Sequence, residues 1–321
     1  MSEDTEGRNP KPNDLPRATL WHFTDQNGLH PILLGNDGLL AAHVSFMSDT
    51  DDDSLGKRLN KLIMHLFSVM AEKSKPGTTV PDDVRRKFDE TANSGSLFPV
   101  FVACFTTSPD EERQWTERTG NGGFAIGFSK ELQDELTASY PSFDEGNQLP
   151  VNRGGVFQSC DYEHYDQQQR ELKQIENEVS EVERIIVRSE KSLTAEFSKR
   201  FANLLQHLRE ESQRMTFFKK PSLAWEREYR LAYYFPDKDV PLGRFRFIAG
   251  KPRVTMELKK PLGNYVREIL ISPFGDVAKS TVIAHLVGAA IGLNPDCINS
   301  MRLEIHRENE TKIKTDEGAG K

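Results

Sequence analysis

Short runs of apolar, β-branched and aromatic residues recur along this chain, and most follow one another without a helical segment between them. Such runs, bounded by glycine, proline and polar residues, predict β-strands. They are Thr19–Thr24, His43–Met47, Phe98–Phe105, Phe124–Phe128, Phe157–Tyr162, Trp225–Phe235, Phe245–Ile248, Val254–Leu258, Val266–Ser272 and Met301–His306. Strands in succession, with helical blocks of uneven length elsewhere, are typical of α+β proteins. We therefore expect a mixed, mostly antiparallel sheet with flanking helices and a long helical hairpin insertion.

The helical insertion is predicted by the most polar tract of the chain, about residues 163–213. Apolar residues recur there every three or four positions, which is helical spacing, and the sequence SEKS at 189–192 is a candidate break. We expect a hairpin outside the main core. Two further helices are predicted at about 54–73 and 277–293. Residues 18–306 are then a single domain, between a disordered arm at 1–17 and a disordered tail at 307–321.

The charge and cysteine content narrow the functional classes. The 321 residues carry a net charge of −7, which gives no support for a protein that coats nucleic acid. Cys104, Cys160 and Cys297 form no CxxC pair, so neither a disulfide framework nor a cysteine zinc site is indicated. The amino terminus lacks the apolar segment of a secretory signal, and no run is long enough for a membrane span. We expect a cytoplasmic protein without a membrane partner.

The Trp225–Phe235 run contains the strongest candidate site. Alternation along a strand would place Glu226, Glu228 and Arg230 on one face. Two carboxylates and a guanidinium on an apolar strand can form the wall of an active site. The same pattern also fits a half-exposed strand whose glutamates and arginine pair with a neighbouring strand.

Other candidates lie nearer the amino terminus. His22 and Thr24 share a strand face, although a histidine in an apolar strand is often a core residue. Arg113 and Arg118 flank Trp115, where they could bind a pyrophosphate or lie on the surface, and Trp115 itself could be a core anchor. The acidic cluster at 49–53 fits a helix start or a cation site.

Five motifs together resemble the bacterial family called domain of unknown function 2971. They are LWHFT, FMSDTDD, CFTTSPDEERQW with GGFAIGF, WEREYR after a basic pair, and VREILISPFGD with a later NSMRLEI. The resemblance spans nearly all of residues 18–306. The chain departs from the family at Ser48-Asp49-Thr50, where the family has Asn-Asp-Pro. This resemblance implies a fold and no particular reaction.

A second resemblance is to ADP-ribosyltransferases that modify DNA or RNA. It rests on the opening His22, Thr24, Ile32, Leu33, Gly38 and Leu39 and on a late glutamate, Glu226 or Glu228. It implies a catalytic role for His22, Glu226 and Glu228, with NAD as cofactor. The glutamate would steady the positive charge that develops on the ribose. The implied cofactor-binding residues are Thr24, Phe46, Arg113, Trp115 and Arg230.

Three classes of function follow from these patterns. The first is an NAD-using transferase of bacterial defence or toxin systems, acting on a nucleic-acid or protein acceptor. The second is a nuclease or phosphoesterase in which the cluster at 49–53 and the two glutamates bind Mg²⁺. The third is a non-enzymatic module that recruits a partner through its hairpin. The first class predicts that His22, Glu226 and Glu228 converge on one cleft. The sequence leaves the oligomeric state open.

Overall fold

The computed structural model describes residues 18–35, 39–43, 55–73, 86, 100–119, 122–139, 155–188, 195–234, 245–248, 251–255 and 260–301. The strands are β1 Leu20–Asp25, β2 Leu40–His43, β3 Val100–Thr106, β4 Gly123–Phe128, β5 Gly155–Ser159, β6 Glu228–Tyr234, β7 Phe245–Ile248, β8 Lys251–Thr255, β9 Val266–Ile271 and β10 Ile298–Ser300. The α-helices are α1 Leu29–Leu33, α2 Leu55–Lys73, α3 Glu112–Arg118, α4 Lys130–Ser139, α5 Tyr165–Arg188, α6 Ala195–Met215 and α7 Val277–Ala290. Short 3₁₀ helices lie at Pro221–Glu226, Leu262–Tyr265 and Pro295–Cys297.

The ten strands of the described ranges form one sheet, with the order β10-β9-β4-β1-β3-β2-β8-β7 and with β6 and β5 joined to β3. The β9–β10 pair is parallel, and the other pairs are antiparallel. The α+β class and the mixed, mostly antiparallel sheet are therefore confirmed.

Strand β3 lies at a fork in this sheet. One of its edges pairs with β6 along its whole length, from Val100↔Tyr234 to Thr106↔Glu228. Its other edge is shared, because β1 pairs with its end at Thr106 and β2 with its beginning. Both faces of β3 are buried, which explains why its sequence is almost continuously apolar.

The main hydrophobic core covers one face of the sheet. Helices α1, α4 and α7 lie over this face, and they contribute Leu29, Leu132 and Val287 among other residues. Phe101, Ala103 and Phe105 of β3 point into this core. The alternate residues Val100 and Val102 pack on the opposite face, against Phe217.

A second hydrophobic core lies between three helices. Helices α5 and α6 correspond to the predicted hairpin, and its candidate break at 189–192 lies outside the described residues. Helix α2 packs against both, and Arg58 of α2 also donates to Glu176 of α5 at 2.6 Å. The buried residues of this core include Leu55, Leu59, Ile63, Leu66, Met70, Leu172, Ile175, Val179, Val182, Phe201, Leu204 and Leu208. The hairpin lies outside the sheet core, as expected, but it shares its own core with α2 and is not a free appendage.

Several boundaries differ from the sequence-based expectation. The strand expected from Trp225 begins at Glu228, because a 3₁₀ helix occupies Pro221–Glu226. The last described strand is Ile298–Ser300, ahead of the expected run at 301–306, of which all but Met301 lies outside the described residues. Helix α4 was not predicted. The arm at 1–17 and the tail at 307–321 also lie outside the described residues. None of the described helices is long and apolar enough to span a bilayer.

Candidate functional site

The chain turns sharply between the two glutamates of the candidate site. Pro221 begins the 3₁₀ helix, where its fixed φ and missing N–H are compatible with a first helical turn. Arg227 ends this helix in the left-handed conformation, with φ 43° and ψ 46°. That conformation is uncommon for a residue with a side chain. Strand β6 then begins at Glu228, so Glu226 and Glu228 belong to different elements.

Both glutamates nevertheless reach the same group of cations. Lys219 Nζ donates to Glu226 Oε2 and, at 2.9 Å, to Glu228 Oε2. Arg118 Nη2 lies 3.1 Å from Glu226 Oε2 and 3.2 Å from Glu228 Oε2. Arg230 Nε donates to Glu228 Oε1 at 2.5 Å. We call these five residues the glutamate cluster.

The cluster is almost completely enclosed. The side chains of Glu226, Glu228, Lys219 and Arg230 are 6, 4, 4 and 2 % exposed, whereas that of Arg118 is 26 % exposed. Arg118 therefore forms the contact of the cluster with the surface. Buried charges require such pairing, because an isolated ion in a protein interior is strongly unfavourable.

The backbone around the cluster is fixed by neutral side chains. The carbonyl oxygen of Glu226 accepts from Thr106 Oγ1 at 2.7 Å and from Gln114 Nε2 at 2.9 Å. The backbone N–H of Glu228 donates to the hydroxyl of Tyr162 at 3.0 Å. Helix α3, strand β3 and the segment after β5 therefore all hold the two glutamates in place.

The two carboxyls differ in proton affinity. Burial, followed by the neighbouring charge of Glu228, raises the pKa of Glu226 to about 7. Burial alone would also raise the pKa of Glu228, but Arg230, Lys219 and Arg118 together hold it well below its usual value. Because the carboxyls share Lys219, they titrate as a pair. One carboxyl stays ionised while the other can take up a proton near neutral pH.

His22 does not join the glutamates. The register pairs Trp21 with Thr106 and Thr106 with Glu228, so these three side chains share one face of the sheet. His22 therefore points to the other face, where its ring lies 6.0 Å from that of Phe105. Glu226 and Glu228 therefore meet at shared cations, whereas the register places His22 on the opposite face of the sheet.

The environment of His22 indicates what it does in the fold. Its Nδ1 lies 2.9 Å from the carbonyl oxygen of Cys104. An oxygen of this kind only accepts, so Nδ1 carries the proton. Burial lowers the pKa of His22, and its neutral form is favoured. At the fork, where β1 and β2 diverge along β3, the ring therefore satisfies a backbone carbonyl.

Four of the five predicted cofactor-binding residues are described, and they lie in different surroundings. Arg230 is buried, and besides Glu228 it bonds to the carbonyl oxygen of Thr216 at 2.5 Å. Trp115 is fully buried, with its indole N–H bonded to Pro109 O at 2.7 Å, which makes it a core anchor of α3.

Arg113 and Thr24 lie in different surroundings. Arg113 is exposed, and its guanidinium carbon lies 5.7 Å from the ring centre of Trp225. Thr24 is buried on the face of His22 and packs closely against Gly28. Phe46 and the acidic cluster at 49–53 lie outside the described residues.

The sequence placed Arg230 with the two glutamates but did not indicate that Lys219 belongs to the site. Lys219 precedes Glu226 by seven residues and reaches it only because the intervening 3₁₀ helix folds back. Arg118 was identified as a candidate, but its contacts with both glutamates were not. Gln114, on the same helix as Arg118, carried no signal beyond its place between Arg113 and Trp115.

Two other features are separate from the glutamate cluster. Burial raises the pKa of Cys160 to about 12, which favours the protonated form of this nearby thiol. A cavity of about 490 Å³ lies between α5 and α6 and is lined by Glu178, Val182, Lys199, Arg200, Asn203, Leu204 and His207. No group of three or more metal-ligating side chains is found within the described ranges.

The fold and site define an α+β protein with a paired-glutamate site enclosed by three cations. Comparison of the chain with models of known protein families, with curated proteins and with solved structures gives no match.

Proposed function

We propose that the chain is an enzyme that cleaves NAD and transfers its ADP-ribose to a nucleic-acid or protein acceptor. The observation that carries this proposal is the pair of glutamates, Glu226 and Glu228, whose proton affinities are driven apart by their surroundings. Two titratable groups with divergent pKa values are the usual arrangement for acid–base chemistry at one site. The choice of NAD comes from the resemblance to ADP-ribosyltransferases.

In this proposal Glu228 is the fixed charge. Its carboxylate is held by Arg230, Lys219 and Arg118 and stays ionised across the physiological pH range. The bond between nicotinamide and ribose breaks with its electron pair leaving on the nicotinamide, so positive charge develops on the ribose. A preorganised carboxylate stabilises such charge without having to reorganise.

Glu226 is the proton acceptor in the same scheme. As a nucleophilic oxygen or nitrogen of the acceptor bonds to the ribose carbon, it must lose a proton. A carboxyl whose pKa is raised to about 7 is suited to accept that proton near neutral pH. Mg²⁺ has no role in this scheme, and the nuclease alternative is tested beside it.

The test is NAD consumption by the wild-type protein with mixed nucleic-acid and protein acceptors. Glu226→Gln keeps the size of the side chain and removes its ability to accept the proton. We expect it to lower the rate on the order of a hundredfold. The matched control is Glu117→Gln, an exposed glutamate of α3, which should leave the rate unchanged.

Two results would overturn the proposal. One is wild-type protein that consumes no NAD with any acceptor while it degrades nucleic acid in the presence of Mg²⁺. The other is a Glu226→Gln protein that is folded and fully active.

A further inference from the structure

Arg118 differs from the other two cations of the glutamate cluster in its access to solvent. Its side chain is 26 % exposed, whereas Lys219 and Arg230 are 4 and 2 % exposed. A single nitrogen, Nη2, contacts both carboxylates, at 3.1 and 3.2 Å. Arg118 is in the last turn of the short helix α3 and lies at the surface edge of the cluster.

An anion that approaches the glutamates from solvent meets Arg118 first. A planar guanidinium binds phosphate oxygens with two parallel hydrogen bonds, which makes it the favoured partner of phosphate and diphosphate groups. The two glutamates would still be paired after Arg118 had moved, because Lys219 contacts both and Arg230 contacts Glu228.

We propose that a phosphate or diphosphate ligand binds by drawing Arg118 away from Glu226 and Glu228, and that the glutamate pair takes up a proton as Arg118 leaves. The identity of the ligand, a phosphate-bearing substrate, rests on the proposed function. The exchange of partners by Arg118 rests on the contacts and exposure of its side chain. The exchange also opens the enclosed glutamates to the substrate. Because only a fraction of Glu226 is protonated at pH 7.5, the ionised fraction still accepts the proton of the acceptor.

Proton uptake is expected because of the charged and titratable groups that surround Glu226. The groups around it are Lys219 before the 3₁₀ helix, Arg118 of α3, Glu228 and Arg230 of β6, and the neutral thiol of Cys160 after β5. Two of the three cations stay buried, while Arg118 moves toward the ligand. Losing a positive charge about 3 Å from a carboxylate raises its affinity for a proton. Glu226 takes the proton because its pKa is already raised, whereas the pKa of Glu228 is held low.

The exchange is measured by titration calorimetry of the full chain with ADP-ribose and, separately, with inorganic pyrophosphate. Each titration is carried out at pH 7.5 in two buffers that differ in their enthalpy of ionisation. A proton drawn from the buffer makes the apparent binding enthalpy depend on the buffer. We expect such a dependence for the wild type, corresponding to uptake of a fraction of a proton per ligand.

Three variants identify the residues responsible for ligand binding and for the buffer dependence of its enthalpy. Arg118→Gln should weaken binding at least tenfold, because the guanidinium is lost. Glu226→Gln should still bind but show equal enthalpies in the two buffers. The control Arg170→Gln removes an exposed arginine of α5 and should behave as the wild type.

The proposal is overturned if neither probe binds, if the wild type binds with equal enthalpies in both buffers, or if Glu226→Gln keeps the buffer dependence. These outcomes are separate from the NAD assay. If the wild type consumes NAD but takes up no proton on binding, the exchange at Arg118 is refuted and the transferase reaction is not. If the protein takes up a proton on binding pyrophosphate but does not consume NAD, the exchange is supported and the proposed transferase reaction is refuted.

Discussion

Glu228→Gln tests whether the glutamate cluster is a buried ion network. The substitution keeps the volume of the side chain and removes its negative charge. Arg230, 2 % exposed, would lose the carboxylate it contacts, and Lys219, 4 % exposed, would keep only that of Glu226. Removing one partner from a buried ion pair costs about 3–5 kcal/mol, because the remaining charge is left uncompensated. We expect the free energy of unfolding to fall by about that amount.

Glu226→Gln is the informative comparison. Near neutral pH Glu226 carries a proton for part of the time, and glutamine resembles the protonated form. Its amide oxygen can still accept from Lys219. We expect the free energy of unfolding at pH 7 to change by about 1 kcal/mol or less, the size of one ordinary hydrogen bond. The two substitutions are chemically identical and two residues apart, so the difference between them reports the environment.

The assay is urea unfolding at pH 7, followed by tryptophan fluorescence and circular dichroism. Glu181→Gln breaks an exposed pair with Arg200 and should leave the unfolding midpoint nearly unchanged. If Glu228→Gln loses about 1 kcal/mol or less, as an exposed pair would, the carboxylate is not the centre of a buried network and the reasoning is refuted.

Three further predictions follow from the same contacts. Glu226 binds its proton more tightly when folded, since its pKa rises from the usual 4.5 to about 7. Its contribution to stability is therefore full below about pH 4.5 and is lost as the pH rises to about 7; pH-dependent unfolding should show this fall in the wild type and not in Glu226→Gln. Replacing residues 163–213 with a short linker should abolish cooperative unfolding. The apolar face of α2 would lose its partners, at about 1.5–3 kcal/mol for each exposed side chain, and a folded monomer would contradict the shared core. His22→Leu leaves the carbonyl of Cys104 without this donor and should cost about 1–3 kcal/mol while NAD consumption by the folded fraction changes little; a hundredfold loss of rate would return His22 to the site.

The fold could be predicted where the sequence carries a clear period. The continuous apolar run of β3 and the helical spacing of α5 and α6 each predicted the element that is observed. The fork at β3 could not be predicted, because it depends on which strands share an edge and neighbouring strands are distant in sequence. The core between α2 and the hairpin was missed for the same reason, since about 90 residues separate α2 from α5.

The site was predicted in part, and partly for the wrong reason. Glu226 and Glu228 were expected together because alternate residues of a strand share a face. They do converge, but through a 3₁₀ helix and the left-handed Arg227. A rule for strands cannot anticipate a left-handed arginine, nor can it bring Lys219 and Arg118 to the same carboxylates. The β1–β3 register places the His22 side chain on the sheet face opposite that of Glu228, which alternation along one strand could not show.

The most direct test of the account is the melting temperature of the full chain with NAD, with Mg²⁺ and with neither. A ligand that binds only the folded protein stabilises it, by about 2.7 kcal/mol at a hundredfold excess over its dissociation constant. We expect NAD to raise the melting temperature of the wild type, Arg118→Gln to lose most of that rise, and Mg²⁺ alone to have no effect. A rise with Mg²⁺ and none with NAD would contradict it.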